Sequence, residues 1–329
     1  MKNWPDARVL VTGGAGFIGS ALIWALNTRG CENIVVCDRL GTDEKWRHLT
    51  PLRFTDYVEA DDLADFLQET TRGEFDCVLH LGACSATTER DASFLIRNNY
   101  EFTKHLAAWS LANGARFVYA SSAATYGDGA QGMSDTAPIE PLRPLNMYGY
   151  SKHLFDLHAQ RAGFLNQIVG LKYFNVFGPN EDHKGDMRSV VHKSYGQVKE
   201  TGVIQLFKSY RPDYADGEQK RDFLYVKDAV AMTLHLAAAP QAGGLYNLGS
   251  GEAHSWNQLA RAVFAALGRE PRIEYIGMPE VLRDKYQYFT RADIGKLRAA
   301  GYDAKMTPLD AAVKDYVTSY LATDRLLEA

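Results

Sequence analysis

The stretch "NMYGYSKHLF" contains residues with the spacing of a proton-transfer pair. Tyr148 and Lys152 are four positions apart and share one face of a helix, whereas Tyr150 points to a different side. A tyrosine supported by a lysine can exchange a proton with a substrate hydroxyl. The spacing alone is weak evidence, because Tyr100–Lys104 and Tyr195–Lys199 repeat it elsewhere in the chain.

A glycine-rich turn near the start of the chain indicates a dinucleotide site. In "VLVTGGAGFIGSALIWAL", Gly13, Gly16 and Gly19 lie between a predicted strand and a predicted helix. Glycines at such a turn let the backbone approach a pyrophosphate, and the helix N-terminus offers free N–H groups. Asp38 ends the next predicted strand, where the residue that binds the adenosine ribose is expected. We therefore predict a nicotinamide dinucleotide cofactor.

The residues around Asp38 leave the choice between the two cofactors open. The carboxylate itself favours NAD, because it can bond to the ribose hydroxyls. Arg39 and Lys45 follow closely, and both could neutralise the 2'-phosphate of NADP. The alternative for each is a solvated loop cation. Two cations beside the ribose position favour NADP, with NAD still possible.

Composition excludes several classes of protein. The 329 residues carry a formal net charge of −4, so no basic excess exists to bind nucleic acid. No apolar run approaches the ~18 residues of a membrane span, and the chain enters a strand pattern at once, without a signal peptide. The scattered histidines predict no metal site, and the four cysteines are interpreted as free thiols of a cytoplasmic protein.

Apolar strands alternate with helical segments over the first half of the chain, which predicts an α/β fold with a doubly wound parallel Rossmann sheet. The predicted strands are 7–13, 33–38, 56–61, 76–83, 116–122 and 168–178. The remainder predicts a smaller, discontinuous C-terminal α/β lobe that binds substrate. The expected division is 1–175 plus about 220–250 for the dinucleotide-binding domain, and about 176–219 and 251–329 for the lobe.

Four stretches together resemble the extended short-chain dehydrogenase/reductase family of NAD(P)-dependent sugar epimerases. They are "TGGAGFIG", "HLGACS", "YASSAATYG" and "YGYSK". Further stretches, including "YFNVFGP", "HKGDM" and "KYQYFT", resemble the branch of that family that inverts C6 of an ADP-linked heptose. The resemblance covers nearly the whole chain, and it implies an ADP-heptose substrate and a homo-oligomer, plausibly a pentamer.

The resemblance also implies catalytic roles. Ser122, Tyr148 and Lys152 form the reductase triad, in which the lysine ammonium and the nicotinamide are expected to lower the tyrosine pKa. Tightly bound NADP+ would oxidise C6 to a ketone and then reduce it from the other face. Because the hydroxyl points in opposite directions before and after, the family uses a second acid/base, which corresponds to Lys184.

Further contacts are carried over from the same resemblance. Besides Gly13, Gly16, Gly19, Asp38, Arg39, Lys45, Tyr148, Lys152 and Lys184, the expected cofactor contacts are Phe17, Ile18, Leu81, Gly82, Ala83, Cys84, Ser85, Asn98 and Val176. The expected substrate positions are Asn175, Asp186, Lys193, Phe207, Arg221 and Tyr286. Arg221 suits a diphosphate, because guanidinium forms paired hydrogen bonds with phosphate, and the alternative is a salt bridge to Asp222.

Three other functions compete with this interpretation. A sugar-nucleotide dehydratase needs an acid/base pair just after the catalytic serine, and Ala123 and Ala124 occupy those positions. A 4-epimerase of the UDP-hexose type rotates a keto-sugar above one tyrosine and does not need Lys184. A non-catalytic dinucleotide-sensing regulator is expected to lose Tyr148 or Lys152, and both are present.

Overall fold

The computed structural model describes residues 3–283 and 286–329, so Lys285 of the "KYQYFT" stretch lies outside the described residues. The strands in chain order are β1 (Val9–Thr12), β2 (Ile34–Asp38), β3 (Asp56–Glu59), β4 (Cys77–His80), β5 (Arg116–Ser122), β6 (Val169–Tyr173), β7 (Asn175–Phe177), β8 (Ile204–Phe207), β9 (Lys220–Arg221), β10 (Phe223–Tyr225), β11 (Gly244–Leu248), β12 (His254–Ser255) and β13 (Ile273–Ile276).

A seven-stranded parallel sheet forms the centre of the molecule, in the order β11–β6–β5–β4–β1–β2–β3. Every residue of β1, β2 and β4 is buried, as expected for strands covered on both faces. The predicted fold class is confirmed. The chain order reverses between β1 and β4, and in such sheets ligands bind beyond the carboxyl ends of the strands at this point.

Helices cover both faces of the sheet. In chain order they are α1 (Phe17–Asn27), α2 (Leu63–Glu69), α3 (Ala92–Leu95), α4 (Phe102–Asn113), α5 (Met147–Arg161), α6 (Val190–Glu200), α7 (Val226–Ala238), α8 (Trp256–Ala266), α9 (Glu280–Arg283), α10 (Gly295–Ala299) and α11 (Leu309–Asp315). Helices α1 and α7 bury their apolar residues in one core cluster, whereas α2, α4 and α5 belong to the other. Within the described ranges, every helix is too short or too polar to cross a bilayer.

The C-terminal half combines short strand pairs with helices. Strands β8 and β13 pair in parallel, β7 pairs in parallel with β10, and β9 pairs antiparallel with β12. A capping box between Ser255 and Gln258 begins α8. Strand β11 joins the central sheet and α7 packs on α1, so this part of the second half is built onto the dinucleotide-binding side. The domain division stays a prediction.

The predicted strand 168–178 is interrupted at Phe174, which is a difference from the sequence expectation. The Phe174 N–H donates to the Leu248 carbonyl at 3.0 Å, and the chain then leaves the central sheet. Asn175 begins β7, which pairs with β10 instead. A continuous apolar run in the sequence does not reveal that the chain changes its pairing strand here, because both short strands have the same apolar pattern.

Candidate active site

A cleft of about 480 Å³ lies beyond the carboxyl ends of the central strands. Its lining includes all four predicted catalytic residues, Ser122, Tyr148, Lys152 and Lys184. The predicted cofactor residues that line it are Gly13, Gly16, Phe17, Ile18, Gly19, Asp38, Lys45, Leu81, Gly82, Ala83, Ser85 and Val176. Arg39, Cys84 and Asn98 are not among the lining residues.

The glycine turn forms a cradle that side chains would fill. Gly13 has φ +69°, and a Cβ there would lie 2.6 Å from the Gly82 nitrogen. A Cβ on Gly19 would overlap the Gly13 carbonyl oxygen. Gly16 caps the N-terminus of α1, whose first residues line the cleft. The turn therefore fits a pyrophosphate held by backbone N–H groups.

Two cations near Asp38 behave differently. The Asp38 carboxylate accepts hydrogen bonds from the Ala15 N–H at 2.8 Å and from Lys45 Nζ at 3.0 Å. The Arg39 side chain is half exposed and pairs with Asp61. Lys45 therefore lies at the expected ribose position, and Arg39 fits the alternative of a solvated loop cation.

Helix α5 and strand β5 bring the reductase triad together. The Asn146 side chain caps α5 by accepting from the Gly149 N–H at 2.8 Å, which places Tyr148 and Lys152 in the first turns. Ser122 ends β5, and its side chain lines the same cleft as the Tyr148 side chain. This arrangement lets both hydroxyls contact one substrate oxygen.

The Tyr148 pKa differs from the sequence expectation. Burial raises this pKa above its usual value, and the hydrogen bond from Ser122 offsets only part of the effect. The neighbouring Lys152 was expected to lower it. Burial instead lowers the Lys152 pKa to about 8, against the opposing charge of Asp156 one turn further along α5. In the protein alone, Tyr148 is therefore held in its neutral, proton-donating form.

A buried ionic network lies behind this triad. Asp156 and Lys172 form a salt bridge of 2.9 Å with both side chains fully buried. Asp156 also accepts from the hydroxyls of Tyr119 and Ser121, each at 2.8 Å. Since these groups belong to α5, β5 and β6, the network ties the two elements that carry the triad, α5 and β5, to the neighbouring strand β6.

Asn99, next to the predicted cofactor contact Asn98, organises the wall at residues 81–85. The buried Asn99 amide donates to the Cys84 carbonyl and the Ser151 hydroxyl, both at 3.0 Å, and its oxygen accepts from the Cys84 N–H. Asn98 donates only to the Asn99 side chain at 3.1 Å among the bonds described. Asn99 lies four positions before the buried Thr103, whose hydroxyl donates to the Asn99 carbonyl, so both residues face the protein interior. The role of Asn98 as a cofactor contact stays a prediction.

Lys184 lines the same cleft from a different element, the short turn Asp182–Met187. Gly185, with φ +52°, makes the sharp bend that follows it. The Lys184 ammonium lies 5.1 Å above the Phe17 ring, at the first turn of α1. Burial lowers the Lys184 pKa, and the buried Glu181 carboxylate opposes that shift.

Arg221 lies in an aromatic setting beside the cleft. Its guanidinium is 5.0 Å from the Tyr286 ring and 5.7 Å from the Trp256 ring. Trp256 lines the cleft and donates to the Tyr286 hydroxyl at 2.8 Å. The alternative salt bridge to Asp222 is wrong, because that carboxylate accepts instead from the backbone N–H groups at 250, 251 and 292.

The other predicted substrate positions divide into two groups. Asn175 lines the cleft, whereas Asp186, Lys193 and Phe207 are not among its lining residues. Lys193 Nζ donates to the Asp186 carbonyl at 2.6 Å, so the two residues close the turn of Lys184 from outside. Trp256 was missed, because a tryptophan at the start of an amphipathic helix reads as an ordinary core residue.

The fold and site define a class of enzyme. Residues 9–249 match the NAD dependent epimerase/dehydratase family, and the chain belongs to this family. It is an epimerase, an isomerase that works with a nicotinamide dinucleotide, as its relatives show.

The relatives sharpen this class. The chain is 55% identical over 315 residues to an ADP-L-glycero-D-manno-heptose-6-epimerase of Nitratidesulfovibrio vulgaris strain Hildenborough, with 95% of this chain and 98% of the relative covered. A protein of the same name from Fusobacterium nucleatum is 44% identical, covering 96% and 98%. The crystal structure of the Helicobacter pylori protein of that name has a TM-score of 0.81, 26% identity and 97% coverage of both chains. The resemblance inferred from the motifs is confirmed.

Proposed function

We propose that the protein converts ADP-D-glycero-D-manno-heptose to ADP-L-glycero-D-manno-heptose by inverting C6 through a transient 6-keto sugar. The product is a precursor of the heptose in lipopolysaccharide core. The observation that supports this most directly is the pair of proton-transfer groups, Tyr148 and Lys184, carried by different elements that line one cleft.

The environments of the two groups support opposite roles. Burial raises the Tyr148 pKa, which suits an acid, and lowers the Lys184 pKa, which suits a base. Titratable groups whose environments separate their pKa values commonly divide acid and base work in this way. Lys184 removes the proton from the C6 hydroxyl of one epimer, and Tyr148 delivers a proton to the oxygen of the other. Ser122 bonds to that oxygen.

The residues of the cleft support a nicotinamide dinucleotide, which when bound accepts and returns the C6 hydride. The glycine cradle at Gly13 and Gly19 would hold its pyrophosphate, and Asp38 would hold its ribose. We propose NADP as the natural cofactor, because the Lys45 ammonium, bonded to Asp38, lies beside the expected ribose position. Lys45→Ala should weaken NADP binding about tenfold in calorimetry, the effect of losing one ~1.4 kcal/mol contact, and leave NAD binding within about twofold.

The substrate is tested by incubating the protein with ADP-D-glycero-D-manno-heptose and following C6 stereochemistry by NMR. Inversion at C6 is expected. No inversion there, together with turnover of UDP-glucose, would show a 4-epimerase instead.

The role of Lys184 is tested by Lys184→Ala. We expect epimerisation to fall by about 10²-fold or more, the usual contribution of a proton-transfer group, with the cofactor still bound. Lys199→Ala is the matched control, since that ammonium lies 5.4 Å above the Tyr195 ring on α6 and is not among the groups that line the cleft. Near-normal turnover by Lys184→Ala would refute the two-base mechanism.

Two further properties are proposed from the family resemblance. The first is a cytoplasmic location, and the second is a homo-oligomeric, plausibly pentameric, assembly. Light scattering at the exit of a sizing column measures the assembly directly.

A further inference from the structure

His48 links two distant parts of the cleft. The ring is fully buried, with Nδ1 2.8 Å from the Ala15 carbonyl oxygen and Nε2 2.9 Å from the Asp182 carboxylate. Ala15 belongs to the glycine turn, and Asp182 begins the turn that carries Lys184. One side chain therefore joins the pyrophosphate cradle to the second proton-transfer group.

The Ala15 peptide group is held from both sides. Its N–H donates to Asp38 at 2.8 Å, and its carbonyl faces the His48 ring. The contact with the Ala15 carbonyl therefore holds His48 next to the part of the site that would bind the ribose and pyrophosphate. This gives the ring a fixed place relative to the cofactor.

The turn of Lys184 is attached at its base as well. Glu181, just before it, accepts from the Ser189 N–H at 2.7 Å, and Arg188 Nε donates to the Asp182 carbonyl at 2.7 Å. These bonds close the turn on itself. The bond from His48 to Asp182 adds a connection to the dinucleotide-binding half, 134 positions away in sequence.

Both ring nitrogens of His48 face hydrogen-bond acceptors, the Ala15 carbonyl oxygen at Nδ1 and the Asp182 carboxylate at Nε2. Burial raises the Asp182 pKa, but the bond and the charge of His48 outweigh it and lower that pKa to about 2. The link is therefore a charge-assisted hydrogen bond, which is stronger than a neutral one.

The neighbouring His183 is a different kind of group. Its ring meets His48 edge-on at 5.0 Å, and burial together with the His48 charge lowers its pKa to about 4. Three potential ligand atoms lie within 4.8 Å of one another here, one each from His48, Asp182 and His183. The ligand atoms of His48 and Asp182 are already bonded to each other, which favours a hydrogen-bonded link over a metal site.

We propose that His48 and Asp182 are positioning residues that hold Lys184 at the correct place against the cofactor. The inference deepens the proposed function and rests on the role of Lys184 in it. Neither side chain needs to touch the substrate. Their effect is expected in the rate of proton transfer rather than in the binding of either ligand.

The test compares Asp182→Ala and Asp182→Asn in the full-length protein with its cofactor. Asp182→Ala should lower kcat about 10- to 100-fold, because small displacements of a catalytic group are costly, while KM and cofactor affinity stay within about threefold. In Asp182→Asn the amide can donate to Nε2 of a neutral His48 that still donates to Ala15, so most of the activity should return. His48→Leu should match Asp182→Ala. Equal losses in the Ala and Asn variants would overturn the proposal.

A double-variant cycle separates positioning from a general loss of structure. Asp182→Ala should cost nothing further in a Lys184→Ala background, because the group it positions is absent. His235→Leu is the control for losing a histidine hydrogen bond elsewhere, since that ring bonds to the Ala300 carbonyl at 2.9 Å. Additive losses, or a loss that follows cofactor affinity, would overturn the positioning role.

The cycle also distinguishes this inference from the proposed function. An inactive Lys184→Ala beside a fully active Asp182→Ala would remove only the positioning role. Normal turnover by Lys184→Ala would remove the two-base mechanism, and with it the positioning of that lysine.

Discussion

The two walls of the cleft are built in opposite ways. Tyr148 and Lys152 stand on the 15-residue helix α5, supported from behind by the buried Asp156–Lys172 pair. Lys184 stands on a six-residue turn that depends on individual side-chain bonds. In the proposed mechanism the tyrosine wall supplies a proton donor next to the cofactor. The lysine wall depends on one short turn, so we expect it to be the part that a different reaction would change.

The three Tyr-x-x-x-Lys pairs discussed above lie in different surroundings, which explains why the spacing alone could not identify the proton-transfer pair. The two accidental Tyr-x-x-x-Lys pairs lie outside the cleft, with Lys104 4.8 Å above the Tyr100 ring and Lys199 5.4 Å above the Tyr195 ring. In the Tyr148–Lys152 pair both side chains line the cleft instead. The exposed Tyr150, two positions from Tyr148, faces away as helical geometry requires.

The largest expected effect lies on the tyrosine wall. Tyr148→Phe removes the proton donor while keeping the ring, so kcat should fall by about 10²- to 10⁴-fold with cofactor affinity nearly unchanged. Steady-state kinetics and calorimetry measure the two quantities. A smaller loss of kcat in Tyr148→Phe than in Lys184→Ala would contradict the view that the tyrosine wall carries the more important group.

The buried network behind the triad predicts a large effect on stability. Asp156→Asn leaves the fully buried Lys172 without its counter-charge, so the free energy of unfolding should fall by about 3–5 kcal/mol. Denaturant unfolding measures this loss. Glu32→Gln, which breaks the exposed pair with Arg53, is the control, because such pairs contribute about 0–1 kcal/mol. A similar loss in both variants would contradict the view of α5 as the rigid wall.

The pH dependence should report Lys152. Its pKa of about 8 means that the positive charge beside Tyr148 is present below that pH and is lost above it. The value of kcat/KM should therefore fall as pH rises above about 8, by up to tenfold per pH unit. Arginine stays protonated, so in Lys152→Arg the fall in kcat/KM should begin at a higher pH.

The lowered pKa of Lys152 has the opposite effect on stability, which should rise with pH. Because the folded state releases the Lys152 proton at lower pH than the unfolded chain, this group favours folding more as pH rises from about 8 toward 10.5. A fall in kcat/KM that accompanied unfolding would therefore have another cause than Lys152.

The difference between the walls also explains what could be predicted from the sequence. Strand and helix patterns predicted the Rossmann sheet, and the glycine turn and the Tyr148–Lys152 pair follow from fixed spacings within those elements. Lys184 needed the family resemblance, because a turn has no periodicity to read. The bonds of His48, Asn99 and Trp256 join segments far apart in sequence, so only the folded chain reveals them. The raised pKa of Tyr148 in the protein alone was not predicted for the same reason, since burial is a property of the fold.

The smallest expected effect is that of replacing Lys193, which lies next to the Lys184 turn but outside the cleft. Lys193 was predicted to bind substrate, yet its ammonium donates to the Asp186 carbonyl at 2.6 Å, outside the cleft. Lys193→Met keeps the aliphatic stem and removes that bond, and an exposed hydrogen bond of this kind is worth about 0.5–1.5 kcal/mol. Since Glu181 and His48 also hold the turn, kcat should fall by about threefold or less. A rise in KM for the ADP-sugar of about tenfold or more would instead restore Lys193 as a substrate contact, and would show that the turn closes over the substrate during the reaction.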